Sequence, residues 1–157
     1  MPPGSTLAHE RMRAESQGYW MSRYGSRAWQ AWAGLAFEAL CLKHIAQIKQ
    51  GLGISGVSTV RNSWYGRTET EGAQIDLVID RADNCINLCE MKYADHVFSI
   101  NKAYAENLRR KVRLFRDITH TRKNLFLTMV TTYGCEHNPP FEELVAVELT
   151  MDTLFGK

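Results

Sequence analysis

Asp76, Glu90 and Lys92 are the residues in this chain whose types and spacing suit catalytic chemistry. Asp76 lies in residues 73–81 (AQIDLVIDR), and Glu90 and Lys92 lie in residues 85–93 (CINLCEMKY). Both runs are apolar and read as strands, separated by Ala82, Asp83 and Asn84. A three-residue hairpin loop places its last residue in the left-handed region, which asparagine tolerates. Strand side chains alternate faces, so Glu90 and Lys92 point the same way as Ile86 and Leu88. With Arg81 facing Cys85, Asp80 falls opposite Ile86, Val78 opposite Leu88, and Asp76 opposite Glu90. Cross-strand partners share a face with Cβ atoms about 5 Å apart. Two carboxylates and one ammonium therefore converge at the end of an apolar sheet face.

Like charges placed opposite each other destabilise a strand pair, so a divalent cation is the obvious neutraliser. A hard cation such as Mg²⁺ or Mn²⁺ takes a few carboxylates and keeps several waters, an arrangement suited to phosphodiester hydrolysis. Lys92, beside it, is placed to orient an attacking water and offset developing negative charge. A Glu-x-Lys triplet alone is uninformative; its place late in a strand, paired through a tight hairpin to an aspartate, is the signal. The bland alternative is a solvated ion cluster on an open sheet face, worth little. Val78, Ile86 and Leu88 argue for a covered face instead. Glu38 borders the apolar stripe of a helix, about 100° from Phe37. It either reaches the sheet edge to hold a metal-bound water or is a solvated flank carboxylate.

The elements that position these groups follow from periodicity. Residues 28–50 carry Trp29, Ala33, Phe37, Leu40, Cys41, His44, Ile45 and Ile48 on one helical stripe, stopped by Gly51 and Gly53. Residues 57–62 predict a strand, followed by a polar loop to Glu71. In residues 73–81, Ile75, Leu77 and Ile79 alternate with Gln74, Asp76, Val78 and Asp80. Residues 101–118 predict a second helix with Tyr104, Leu108, Val112, Phe115 and Ile118 buried. Residues 124–131 predict a strand, 134–140 a loop, and 144–149 a last strand before a terminal turn. Residues 1–27 read as a polar tail with a short helix over 8–17, which leaves one α/β domain over 28–157.

A net charge of +2 over 157 residues points neither to nucleic acid nor to a membrane. Within 101–118, however, six basic residues stand against two acidic ones. Arg109, Arg113 and Arg116, with Arg110 nearby, fall opposite the apolar stripe, as a solvated face or as a track for phosphates. Lys111 sits inside the stripe, either snorkelling or placing a second cation near a scissile phosphate. Gln74, on the face of Asp76, is a candidate to orient substrate. Trp29, Trp32, Trp64 and Tyr65 read as packing aromatics and His44 as a core histidine, while His137 shows no partner. Cys41, Cys85, Cys89 and Cys135 read as small hydrophobes rather than zinc ligands or disulfides. No segment is apolar enough to span a membrane or act as a signal peptide, so a cytoplasmic protein is expected. There is no GxxxxGK[ST] for a nucleotide.

The order α–β–β–β–α–β, with Glu38 in the first helix, Asp76 on the second strand and Glu90-Met91-Lys92 on the third, resembles the PD-(D/E)xK nuclease superfamily. More narrowly, GLAFEALCLKHI, GAQIDLVIDR, INLCEMKYA and LTMVTTYG are similar to the domain that follows the ATPase module in a family of bacterial and archaeal AAA-type ATPases. The resemblance covers most of residues 28–155. It implies a restriction-endonuclease-like fold with a mixed central sheet flanked by helices. It also implies Asp76, Glu90 and the Met91 carbonyl as metal ligands, Lys92 as catalytic and Glu38 as an auxiliary acid. The expected activity is Mg²⁺- or Mn²⁺-dependent hydrolysis of DNA; the rival expectation is a nuclease-fold module that binds nucleic acid or a partner without cutting. DNA, an ATPase module and a second copy of the chain are the partners this implies. The chain itself is expected to be an excised domain or a stand-alone relative.

Overall fold

The structure, a computed structural model, describes residues 23–156. The expected helix over 8–17 and most of the expected tail lie outside them. The chain divides into two compact units, residues 1–36 and 37–157, a boundary nine residues beyond the one expected from composition. It falls inside helix α1 (Arg27–Lys43). In the first unit Trp29 lies against Tyr24 and Trp32, with ring centroids 5.4 and 5.2 Å away.

The second unit is an α/β domain around an open, mixed five-stranded sheet. Its strands are β1 (Thr59–Arg67), β2 (Gly72–Arg81), β3 (Cys85–Lys92), β4 (Asn124–Thr131) and β5 (Val147–Thr150), side by side in that order. β1, β2 and β3 are joined antiparallel, whereas β3, β4 and β5 run parallel. Parallel neighbours need a crossover, which helix α3 (Lys102–Thr119) supplies between β3 and β4. The Asn101 side chain caps α3 by accepting from the Tyr104 N–H at 2.8 Å.

At β3 and β4 both faces of the sheet are covered, which is why these two strands are apolar almost throughout. Ile86, Leu88, Leu127 and Met129 pack with Leu108 and Phe115 of α3 on one face. Cys89, Val130, Leu77 and Ile79 pack with Phe37, Cys41, Ile45 and Ile48 on the other.

Four expectations need correction. The helix expected over 28–50 is two: α1 ends at Lys43 and α2 (Ile45–Gly51) begins after His44. The His44 imidazole Nδ1 lies 2.7 Å from the Leu40 carbonyl oxygen and its backbone N–H turns to Cys41, which breaks the i→i−4 ladder. β1 runs on through the polar residues expected to be loop, because Trp64 anchors it by an edge-to-face contact with Phe115, centroids 5.2 Å apart. Residues 139–144 form a short helix α4 (Pro139–Leu144) rather than loop and strand. Asn138 caps it and two prolines occupy its first turn, where a missing N–H costs nothing. β5 accordingly starts only at Val147. Finally, Ile75 does not share the face of Leu77 and Ile79; it packs with Val78 on the α3 side. A short helix α5 (Met151–Leu154) ends the unit. Among the described residues no helix is long and apolar enough to cross a membrane.

Candidate active site

The β2–β3 hairpin closes as the residue types predict. Asn84 takes φ 64°, and the ladder pairs Asp80 with Ile86 and Val78 with Leu88. It then stops at Leu77–Cys89, one pair short of Asp76 and Glu90. The cause lies on the other edge of β2. Between Asn62–Val78 and Trp64–Ile75, β1 advances two residues while β2 advances three. The extra residue makes a bulge at Asp76 and Leu77, and a bulge bends its strand and ends pairing. β2 leaves β3, and Asp76 fills the opening: its Oδ2 accepts the Met91 N–H at 2.9 Å. The expected cross-strand pair of Asp76 and Glu90 is therefore absent from the ladder. Burial first, and the charge of Asp76 after it, raises the pKa of Glu90 and Tyr104 on the α3 side and of Glu38 and Cys41 on the other, which places Asp76 between the faces.

Glu90 is 4% exposed and points to α3. Lys111 Nζ donates to its Oε2 at 2.7 Å, and the lysine side chain is 16% exposed. Lys111 is thus no snorkelling residue; its place in the apolar stripe aims it at Glu90. The other carboxylate oxygen, Oε1, is buried with no hydrogen-bond partner among the described residues. Burial pushes Glu90 up to about 7, against the pull of Lys111 and, more weakly, Lys92.

Lys92 shares the Glu90 face, with its ammonium 5.5 Å from the ring centre of Phe98 and 5.4 Å from that of Tyr104. The two rings meet edge-to-face, centroids 5.2 Å apart, and form a two-sided seat for the cation. Glu38 is half-buried, and burial followed by the charge of Asp76 raises its pKa. Gln74 is exposed opposite Tyr65. Among the described residues no three His, Cys, Asp or Glu side chains group closely enough to hold a metal ion.

The helix arginines point elsewhere. Arg109 is ion-paired to Glu143 at 2.8 Å and Arg113 to Glu71 at 2.8 Å. Arg116 donates to the Thr121 and Lys123 carbonyls. Arg110 bonds the Gly72 carbonyl and Asn107. Their charge is spent on tying α3 to its neighbours. His137, expected to lack a partner, has Nε2 2.9 Å from Glu148 and stacks on Phe141. The cysteines are free, and burial pushes Cys41, Cys89 and Cys135 up to about 12, far from a reactive thiolate. Two aromatics expected to pack stay exposed, Trp32 at 60% and Tyr65 at 66%, while Trp64 packs against the core. Alternation from a packed Trp64 is the signal that Tyr65 faces outward.

A solved structure described as that of a protein of unknown function, AF1548, is similar to this chain with a TM-score of 0.50. The two are 12% identical, over 74% of this chain and 65% of that one. The chain thus matches just under two thirds of that protein's length, and the likeness bears on the fold alone. No protein-family model matches the chain, and no curated protein does.

Proposed function

We propose that the opening between β2 and β3 is a metal-dependent active site that hydrolyses phosphodiester bonds in DNA, in the manner of the PD-(D/E)xK nucleases that the motif order resembles. The supporting observation is Glu90. A buried carboxylate with one oxygen salt-bridged and the other unpartnered is costly unless a cation or a proton completes it. Asp76, Glu90 and the Met91 carbonyl would hold Mg²⁺ or Mn²⁺, an oxygen set suited to a hard ion that keeps water in its shell. When bound, the ion supplies Lewis acidity at a phosphate oxygen and a bound water of lowered pKa.

The chain's own groups supply the rest. Asp76 is held in place by the Met91 N–H and Glu90 by Lys111. Lys92, seated on Phe98 and Tyr104, is the positive charge that steadies the attacked phosphate and orients the attacking water. Glu38 bears on the far side of Asp76 as an auxiliary acid. A cytoplasmic location, with DNA or an ATPase module as partner, accords with this reading.

Lys92→Ala should lower cleavage about 10²–10³-fold while sparing Mn²⁺ affinity, because an ammonium is no ligand for a hard cation. Asp76→Ala should weaken both. Calorimetric Mn²⁺ titration beside a cleavage time course measures this; full cleavage by Lys92→Ala would place the chemistry elsewhere. A second reading draws on the 2.7 Å pair of Lys111 and Glu90, which already gives the carboxylate a counter-charge. In it, the domain binds nucleic acid or a partner and does not cut. A wild type that binds no ion at millimolar concentration and cuts nothing would establish it.

A further inference from the structure

Among the described residues, strand β1 has one ladder neighbour, β2, and lies at the sheet edge. Trp64 turns to the α3 side, so alternation sends Ser63, Tyr65 and Arg67 to the other face. Arg61, paired with Ile79 of that face's core, joins them. Arg61, Ser63, Tyr65 and Arg67 are all exposed. Neither guanidinium is ion-paired among the described residues, in contrast to Arg109 and Arg113 on α3. The Tyr65 hydroxyl lies over Gly72, 3.7 Å from where a Cβ would stand. The ring therefore lies along β2 beside the exposed Gln74, its cross-strand partner. Gln74 is two residues, about 7 Å, from Asp76. Beyond Ser63 the same face opens into a groove of about 230 Å³ floored by Leu42, Ile45 and Leu77.

We propose that this face of β1 is a binding track for single-stranded nucleic acid, with Tyr65 as the platform on which a base stacks and Arg61 and Arg67 as its phosphate contacts. The distance from Arg61 to Arg67 along the strand is about 20 Å, which spans several nucleotides of an extended unpaired strand. An aromatic platform takes any base by its π face, which a duplex hides, so the track selects unpaired strands without choosing sequence. The proposal rests on the nuclease reading only in that the strand would be led to Asp76. Binding measured in chelator is independent of whether the site cuts.

The test uses fluorescein-labelled dT12, an abasic strand of the same length, and a blunt hairpin duplex, titrated in EDTA at several salt concentrations. Wild type should bind dT12 more tightly than either alternative. Tyr65→Ala should raise Kd about 5- to 140-fold, and Tyr65→Trp should restore it. Arg61→Ala and Arg67→Ala should each reduce the salt slope by about 0.7. Because Tyr65 is 66% exposed, its substitution should leave the fold intact, which circular dichroism checks. Equal affinity of wild type and Tyr65→Ala, or equal binding of dT12 and the abasic strand, would overturn the track. So would sedimentation equilibrium showing a dimer that Val60→Lys dissociates, since β1 would then be an edge covered by a second copy. A wild type that binds dT12 in EDTA but never cuts it with Mn²⁺ would keep the track and dispose of the nuclease.

Discussion

Replacing Lys111 with methionine removes the cation that touches a carboxylate only 4% exposed, while keeping most of the side-chain volume. Breaking a buried ion pair from one side ordinarily costs about 3–5 kcal/mol, because a charge is left uncompensated. Here proton uptake caps the cost. Burial already pushes Glu90 from an ordinary 4.5 up to about 7 with Lys111 present. At about 1.4 kcal/mol per pH unit, the ionised group costs the wild-type fold about 3 kcal/mol above pH 7 and no more. Without Lys111 the folded-state pKa rises further, so the cost keeps growing past pH 7, reaching about 5 kcal/mol at pH 8.5. The difference between variant and wild type should therefore be near zero at pH 5 and about 2 kcal/mol at pH 8.5. Urea unfolding in EDTA at pH 5, 7 and 8.5 measures it, with Lys111→Met/Glu90→Gln as the control that should lose the slope. A destabilisation equal at pH 5 and pH 8.5, or a slope that survives in the double variant, would refute the electrostatic account of the pair.

Glu90→Gln alone makes a complementary case. Because the folded pKa of Glu90 is raised, its contribution is complete below about pH 4.5 and is lost as pH climbs through about 7. Wild-type stability in EDTA should decline by about 3 kcal/mol over that window from this group, and the glutamine variant should lack the decline while losing Mn²⁺ binding in calorimetry. Asn84 holds φ 64° in the hairpin loop. Asn84→Val should cost about 1–2 kcal/mol in urea unfolding and Asn84→Gly should be neutral or better, an ordering that a slipped register would erase.

What can be read from residue types is whatever depends on local rules. The three-residue loop ending in a left-handed asparagine sets the β2–β3 pairing as far as Leu77 and Cys89. The α3 stripe places Lys111 inward, and β4 matches its apolar run, residues 124–131. Helix α4 is also legible, since Asn138 before two prolines is a capping signature; taking prolines only as loop formers hides it. The bulge at Asp76 is not legible. It arises from how β1 and β2 fit together over a distance, and nothing in AQIDLVIDR marks the extra residue. Counting by two therefore carries Asp76 into a pairing with Glu90 that the strands do not make. Likewise Tyr65 looks like Trp64 until alternation around a fixed anchor separates them.

The bulge also predicts where the gene can change length. Ile75 and Leu77, two residues apart, face opposite sides of the sheet because β2 carries one surplus position against β1. Deleting the Asp76 codon would restore even spacing and keep Ile75 opposite Trp64, but it would remove the carboxylate that accepts the Met91 N–H. The turn at 68–71 lies outside every ladder pair of β1 and β2 and can lengthen without moving either carboxylate, whereas the loop at 82–84 sets the β2–β3 register. Relatives aligned to this chain should thus show gaps at 68–71 and an unbroken column through Asp76.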